Sequence, residues 1–137
     1  MTINATATFT PSPNFSRYVE SVIVPDLIQG IDEASERIFT EALALVPVKT
    51  GELHDSGALI PATDQGGQVV GGFEFTSDHA VYVEYGTGRR GASSPGAGEG
   101  PYDPNWPGMA AQPYVRPAMD NNHDLVVETV GGSVKLG

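Results

Sequence analysis

At 137 residues the chain has length for one domain around a single hydrophobic core and none to spare for a second. Seventeen acidic against seven basic residues give a net charge of −10, which argues against a nucleic-acid grip, since phosphates are neutralised by clustered Lys and Arg. The absence of cysteine excludes disulfides, thiolate metal sites and a cysteine nucleophile, and no apolar run reaches the ~18 residues of a membrane span.

The opening "MTINATATFT" lacks the charged and apolar regions of a secretory signal. Residues 1–13, Thr-rich and punctuated by Pro, read as a flexible or partner-docked arm. A single domain is expected over residues 14–130. Its main element is a helix after Pro25, where Leu27, Ile31, Ala34, Ile38, Ala42 and Leu45 recur at spacings of three and four. Asp26 suits the helix start, Glu33 and Arg37 form an i,i+4 pair, and Pro47 stops the helix with Val46 extended.

One or two helical turns follow Thr50, a candidate cap, with Glu52 in the first turn. Leu59–Thr63 reads as an edge strand because of Pro61. In "QVVGGFEFT", Val69, Gly71, Phe73 and Phe75 share one face. "HAVYVEY" alternates in the same way, with Val81, Val83 and Tyr85 opposite Tyr82 and Glu84, so an antiparallel meander is expected. Residues 87–108 form an extended Gly/Pro/Ser-rich loop, too long to be a mere connector. A last helix covers "YVRPAMDNNHDLVVETV", with Met119, Leu125, Val126 and Val130 apolar, and residues 131–137 form a tail. The sum is an α+β domain: a long helix on a small antiparallel sheet, a long Gly/Pro loop and a C-terminal helix.

Two patterns invite chemistry. Gly86, Gly88 and Gly91 spell the G-x-G-x-x-G of a dinucleotide turn, which also needs a helix opening near Gly91 and an acidic strand end about 20 residues on. The Gly- and Pro-rich "GASSPGAGEGPYDPNWPG" is no helix start, so the nucleotide reading lapses. His54-Asp55, Asp78-His79 and His123-Asp124 suggest a hydrolase or a metal site. Yet triads assemble from separate elements, and no G-x-S-x-G, H-x₃-H or HExxH spacing is present. Surface or cap histidines are the plainer account. Arg89 and Arg90 fit a small anion, an acidic neighbouring subunit, or simply solvent. Tyr102, Trp106 and Tyr114 flank the loop, either anchoring it or forming an interface, where Trp, Tyr and Arg concentrate.

Three segments taken in order resemble one family. "VPVKTGELHDSG" (Val46–Gly57) is similar to its Pro-x-x-Thr-Gly-x-Leu motif. "HAVYVEYGTG" (His79–Gly88) is similar to its Tyr-Ala-x-Tyr-Val-Glu-Phe-Gly-Thr strand end, and "MAAQPYVRPAMD" (Met109–Asp120) to its Ala-Gln-Pro-Phe-hydrophobic-Arg-Pro-Ala helix entry. The family is the tail-component or neck proteins of long-tailed double-stranded-DNA phages, also called tail-completion or head–tail joining proteins. The resemblance covers about residues 25–130.

It implies a structural virion protein made in the bacterial cytoplasm, with no catalysis, cofactor, metal or membrane. It implies a ring, commonly six-fold, between portal-side head-closure proteins and the tail terminator and tube. DNA would pass through the lumen without specific binding, as an acidic surface favours. Within that reading Arg89, Arg90, Tyr102, Trp106, Tyr114 and Arg116 are expected at subunit interfaces. Gly51, Gly86, Thr87, Pro113 and Pro117 are expected as structural turns, Gly86-Thr87 ending a strand. The chain departs from the family in its Gly91–Gly108 insertion and its Thr-rich arm. Readings from other classes are a small hydrolase using His54 or His79, and a monomeric peptide-binding adaptor.

Overall fold

A computed structural model describes residues 1–8, 16–49, 51–97, 100 and 102–133. The chain is α+β, with a long helix laid across a three-stranded antiparallel sheet and helical segments at the C-terminal end. The strands are β1 (Thr2–Thr8), β2 (Gly57–Asp64) and β3 (Gln68–Phe75), in the order β1-β3-β2. A short turn α1 (Ser16–Tyr18) and a π-helical turn (Val19–Ile23) lead into α2 (Val24–Leu45). The widened turn lies just before Pro25, whose ring would crowd the carbonyl four residues back in a regular helix.

Helix α2 buries the expected stripe: Leu27, Ile31, Ala34 and Ala42 are core residues and Ile38 is half-buried, while Leu45 lies exposed at the last turn. Val46 leaves it in extended conformation before Pro47. Arg37 meets Glu33 at 2.8 Å, an exposed pair of small energetic weight. Strand β3 is central and turns Val69, Phe73 and Phe75 onto α2. Phe39, Phe73, Phe75 and Tyr114 form a chain of tilted and edge-on rings with centroids 5.0–6.2 Å apart. Strand β2 is an edge, as Pro61 implies, and its register shifts between Ile60 and Thr63. The Ala62 N–H at that irregularity donates to Asp32 Oδ1 on α2 at 2.8 Å.

Three expectations are corrected here. The arm over residues 1–13 is in part a strand: Thr2–Thr8 pair in register with β3 from Glu74 to Gln68, while residues 9–13 lie outside the described residues. Ile3, Ala5 and Ala7 alternate with Thr and Asn, a period of two muted by the small side chains. "HAVYVEY" is no strand; Ala80–Tyr85 form helix α4. The loop of residues 87–108 contains a further helical turn, α5 (Gly88–Ala92), so a short helix does open inside the glycine pattern.

Helix α3 (Glu52–Asp55) follows Gly51, which sits at its N-cap with φ +77°. Thr50, the candidate cap, lies outside the described residues. The last helix is two, α6 (Val115–Asn121) and α7 (His123–Ser133), broken at Asn122. The expected tail therefore starts inside α7, and residues 134–137 lie outside the described residues.

The break is tied to α2. Asn121 Nδ2 donates to Glu41 Oε1 at 2.7 Å, and Asn122 Nδ2 donates to Glu41 Oε2 and to the Ala118 carbonyl. These amides hold the Glu41 carboxyl below its ordinary value of 4.5. Because the folded value is the lower one, the contribution is complete above about pH 4.5 and vanishes as pH falls through the folded value. In acid titrations followed by circular dichroism, Glu41→Gln should show a shallower loss of stability below pH 4.5 than the parent.

Candidate functional site

The three motif segments meet at one end of the sheet. Val46 and Leu53 from the first, Ala80 from the second, and Tyr114, Val115 and Ala118 from the third share one buried cluster with Phe73 and Phe75. Glu84, only 1% exposed, lies at its edge on α4. Its Oε2 accepts the backbone N–H groups of Tyr114 and Val115 at 2.8 and 2.9 Å. Its Oε1 accepts the N–H of Arg116 at 3.0 Å and the guanidinium Nε at 3.1 Å.

Glu84 thus caps α6 from outside that helix. The amides at a helix start have no partner within it, and a carboxylate placed there also meets the positive end of the dipole. Pro117, third in α6, has no N–H to satisfy, so the proline completes the cap. Arg116 further donates through Nη2 to the Glu84 carbonyl at 3.1 Å and through Nη1 to Gly96, and its guanidinium lies 5.0 Å from the centre of the Tyr85 ring. Pro113 leads into this entry behind Gln112, whose N–H bonds Val83 O at 2.8 Å.

Two of the expected interface residues are engaged within the chain, Tyr114 fully buried and Arg116 with 30% of its side chain exposed. Tyr114 is 0% exposed, packs edge-on against Phe75 and donates its hydroxyl to Ala80 O at 3.1 Å. Arg116 is engaged by Glu84, Tyr85 and Gly96 within the chain. Glu84 itself, placed by the alternation with Tyr82 opposite Val81, Val83 and Tyr85, is the residue that sequence reasoning missed. Its acceptor capacity is used on amides 30–32 residues away, which a local pattern does not register.

Gly86 caps α4 rather than ending a strand. It has φ +74°, and a Cβ there would stand 2.6 Å from Ala111 N and Met109 O, so both conformation and space require glycine. Thr87 exchanges backbone bonds with Met109 at 2.8 and 3.0 Å and its carbonyl accepts from Gly91 N–H. The Arg89 and Arg90 amides donate to the Trp106 and Pro107 carbonyls, both at 3.0 Å. Both ends of the long loop are thereby pinned together, with Tyr102 half-buried and its hydroxyl on Tyr85 O at 3.2 Å. The side chains of Arg89 and Arg90 remain exposed, and Trp106 is 51% exposed. No ion pair links either arginine to a described residue.

Beside this knot a groove of about 610 Å³ runs between Val48, Leu53, His79, Tyr82, Met109 and Gln112. Val48, Tyr82 and Met109 present apolar surface there. The histidines do not converge: His79 lines this groove, His123 lines a separate cleft, and His54 lies in neither. His54 and His123 each touch the aspartate next in sequence at 3.3 Å, on exposed surface. Among the described residues no group of three or more His, Asp or Glu is placed to hold a metal. Gly86 ends helix α4 and Gly88 and Gly91 lie within the five-residue turn α5, with no βαβ unit among the described residues. Comparison with family models, curated proteins and solved structures gives no match to the chain.

Proposed function

We propose that the chain is a structural component of the head-to-tail connector of a long-tailed double-stranded-DNA phage, joining head to tail as a ring of about six subunits around the DNA channel. What supports the reading is that the three segments carrying the family resemblance, far apart in sequence, interlock in one cluster through Glu84, Tyr114 and Arg116. Around that cluster the chain exposes two arginines, a tryptophan and an apolar groove, the residue types that concentrate in protein contacts.

The connector contacts fall to Arg89, Arg90 and Trp106, with Tyr102 bracing the loop beneath them. The partners are neighbouring subunits, a portal-side head-closure protein and the tail terminator, in the neck of the virion. The double variant Arg89→Glu/Arg90→Glu should melt within about 1 kcal/mol of the parent, since both side chains are exposed. When added with isolated heads and tails it should join at least about tenfold fewer particles than the parent, as expected for losing charged interface contacts. Joining equal to that of the parent would remove the two arginines from the interface. Failure of the parent protein itself to promote joining would count against the connector reading.

A further inference from the structure

The sheet has two edges, and they are finished differently. The outer edge of β2 is closed three ways: Pro61 has no N–H, the register shifts between Ile60 and Thr63, and the Ala62 N–H is held by Asp32. The outer edge of β1 has none of these. Its seven residues pair regularly with β3, they include no proline and no charge, and no backbone bond from another described residue reaches them from outside.

Met1 and Phe75 exchange both backbone bonds at 2.9 Å. Antiparallel alternation then turns Ile3, Ala5 and Ala7 toward β3 and leaves the N–H and C=O of Thr2, Asn4, Thr6 and Thr8 facing outward.

Beneath this open edge lies a second gap. An apolar cleft of about 230 Å³ is walled by Ile3 and Ala5 of β1, Ile38 of α2, and Met119, Val126 and Val127. Helix α7 has no buried residue; Val127 is 61% exposed and Met119, at the end of α6, is 41% exposed. An added strand would satisfy the edge and roof these side chains together.

We infer that the strand is β1 of a second copy, paired antiparallel across a two-fold axis. β1 suits its own edge. A register of Thr2 opposite Thr8 and Asn4 opposite Thr6 joins every outward pair. It also places Ile3, Ala5 and Ala7 of both copies on the helix-covered face and the Thr and Asn side chains on the solvent face.

Charge agrees. Each copy carries −10, so two copies repel, and the uncharged β1 is a strip where they approach without opposing carboxylates. A seven-residue edge is about 23 Å long and, with its helix layer, about 20 Å deep, which buries about 900 Å² over both copies. That is small for a stable complex and sets a weak, salt-strengthened dimer. The contact rests on the sheet edge alone and is separate from the two unlike patches that a ring requires.

Sedimentation of the full chain up to several hundred micromolar should show a monomer–dimer equilibrium that tightens when salt is raised. Thr6→Pro removes only an outward N–H, twice per dimer, and should weaken the dimer about thirtyfold with the circular dichroism of the parent retained. Val127→Glu, on exposed surface, should weaken it independently and covers the case in which the proline disturbs β1. A parent that stays monomeric overturns the inference, whether the edge is kept for another protein's strand or for none. A dimer indifferent to both substitutions overturns it too. Neither result bears on head-to-tail joining, which the arginine variant reads separately.

Discussion

Glu84→Ala should lower the free energy of unfolding by about 3–5 kcal/mol, the cost of breaking a buried, hydrogen-bonded ion pair from one side. The loss leaves the amides of Tyr114, Val115 and Arg116 without their acceptor and the Arg116 guanidinium facing a vacated site. A domain of this size holds about 5–15 kcal/mol in all, so the variant should populate unfolded or α6-detached forms at ordinary temperature. Glu84→Gln keeps one acceptor oxygen and should lose about 1–3 kcal/mol. Urea unfolding of the three proteins is the measurement. Equal midpoints would mean that α6 does not depend on Glu84.

Tyr114→Ala should cost a further large share, about 3–5 kcal/mol, because a fully buried ring is removed from the aromatic chain. Tyr114→Phe keeps the ring and should cost about 1–2 kcal/mol through loss of the hydroxyl's bond to the Ala80 carbonyl. Burial first, and the charge of Glu84 second, push the Tyr114 hydroxyl well above its ordinary value, so it stays neutral and donating into alkaline solution. The pair of variants also separates a core role from a subunit contact. A core residue loses stability in the monomer in that order. A contact residue would leave the monomer's melting unchanged and fail only in assembly.

The elements legible in the sequence are those whose own side chains fix them. The stripe of α2 and the alternation of β3 bury large apolar groups at the right period, and Pro47 and Pro61 mark a stop and an edge. The misread elements are settled by distant partners. In α4 the β-branched alternation favours a strand, but Ala80 and Glu84, one helical turn apart, are both needed against Tyr114 and the α6 amides. β1 is built of Thr, Asn and Ala, residues with little apolar area, and its strand form depends on the β3 ladder.

The site divides the same way. Solvent-facing Arg89 and Arg90 on a long loop were among the readings the sequence offered, whereas for Trp106 it left anchoring and interface both open. That the loop's ends are clasped by Thr87–Met109 and Arg89–Trp106 backbone bonds was not legible, because main-chain partners leave no side-chain signature.

The proposal that this chain joins head to tail is open to a direct test by electron microscopy of phage particles produced with its gene disabled. DNA-filled heads and complete tails should lie separate, and should be joined again when the purified protein is supplied. Intact, joined particles formed without the chain would contradict the proposal.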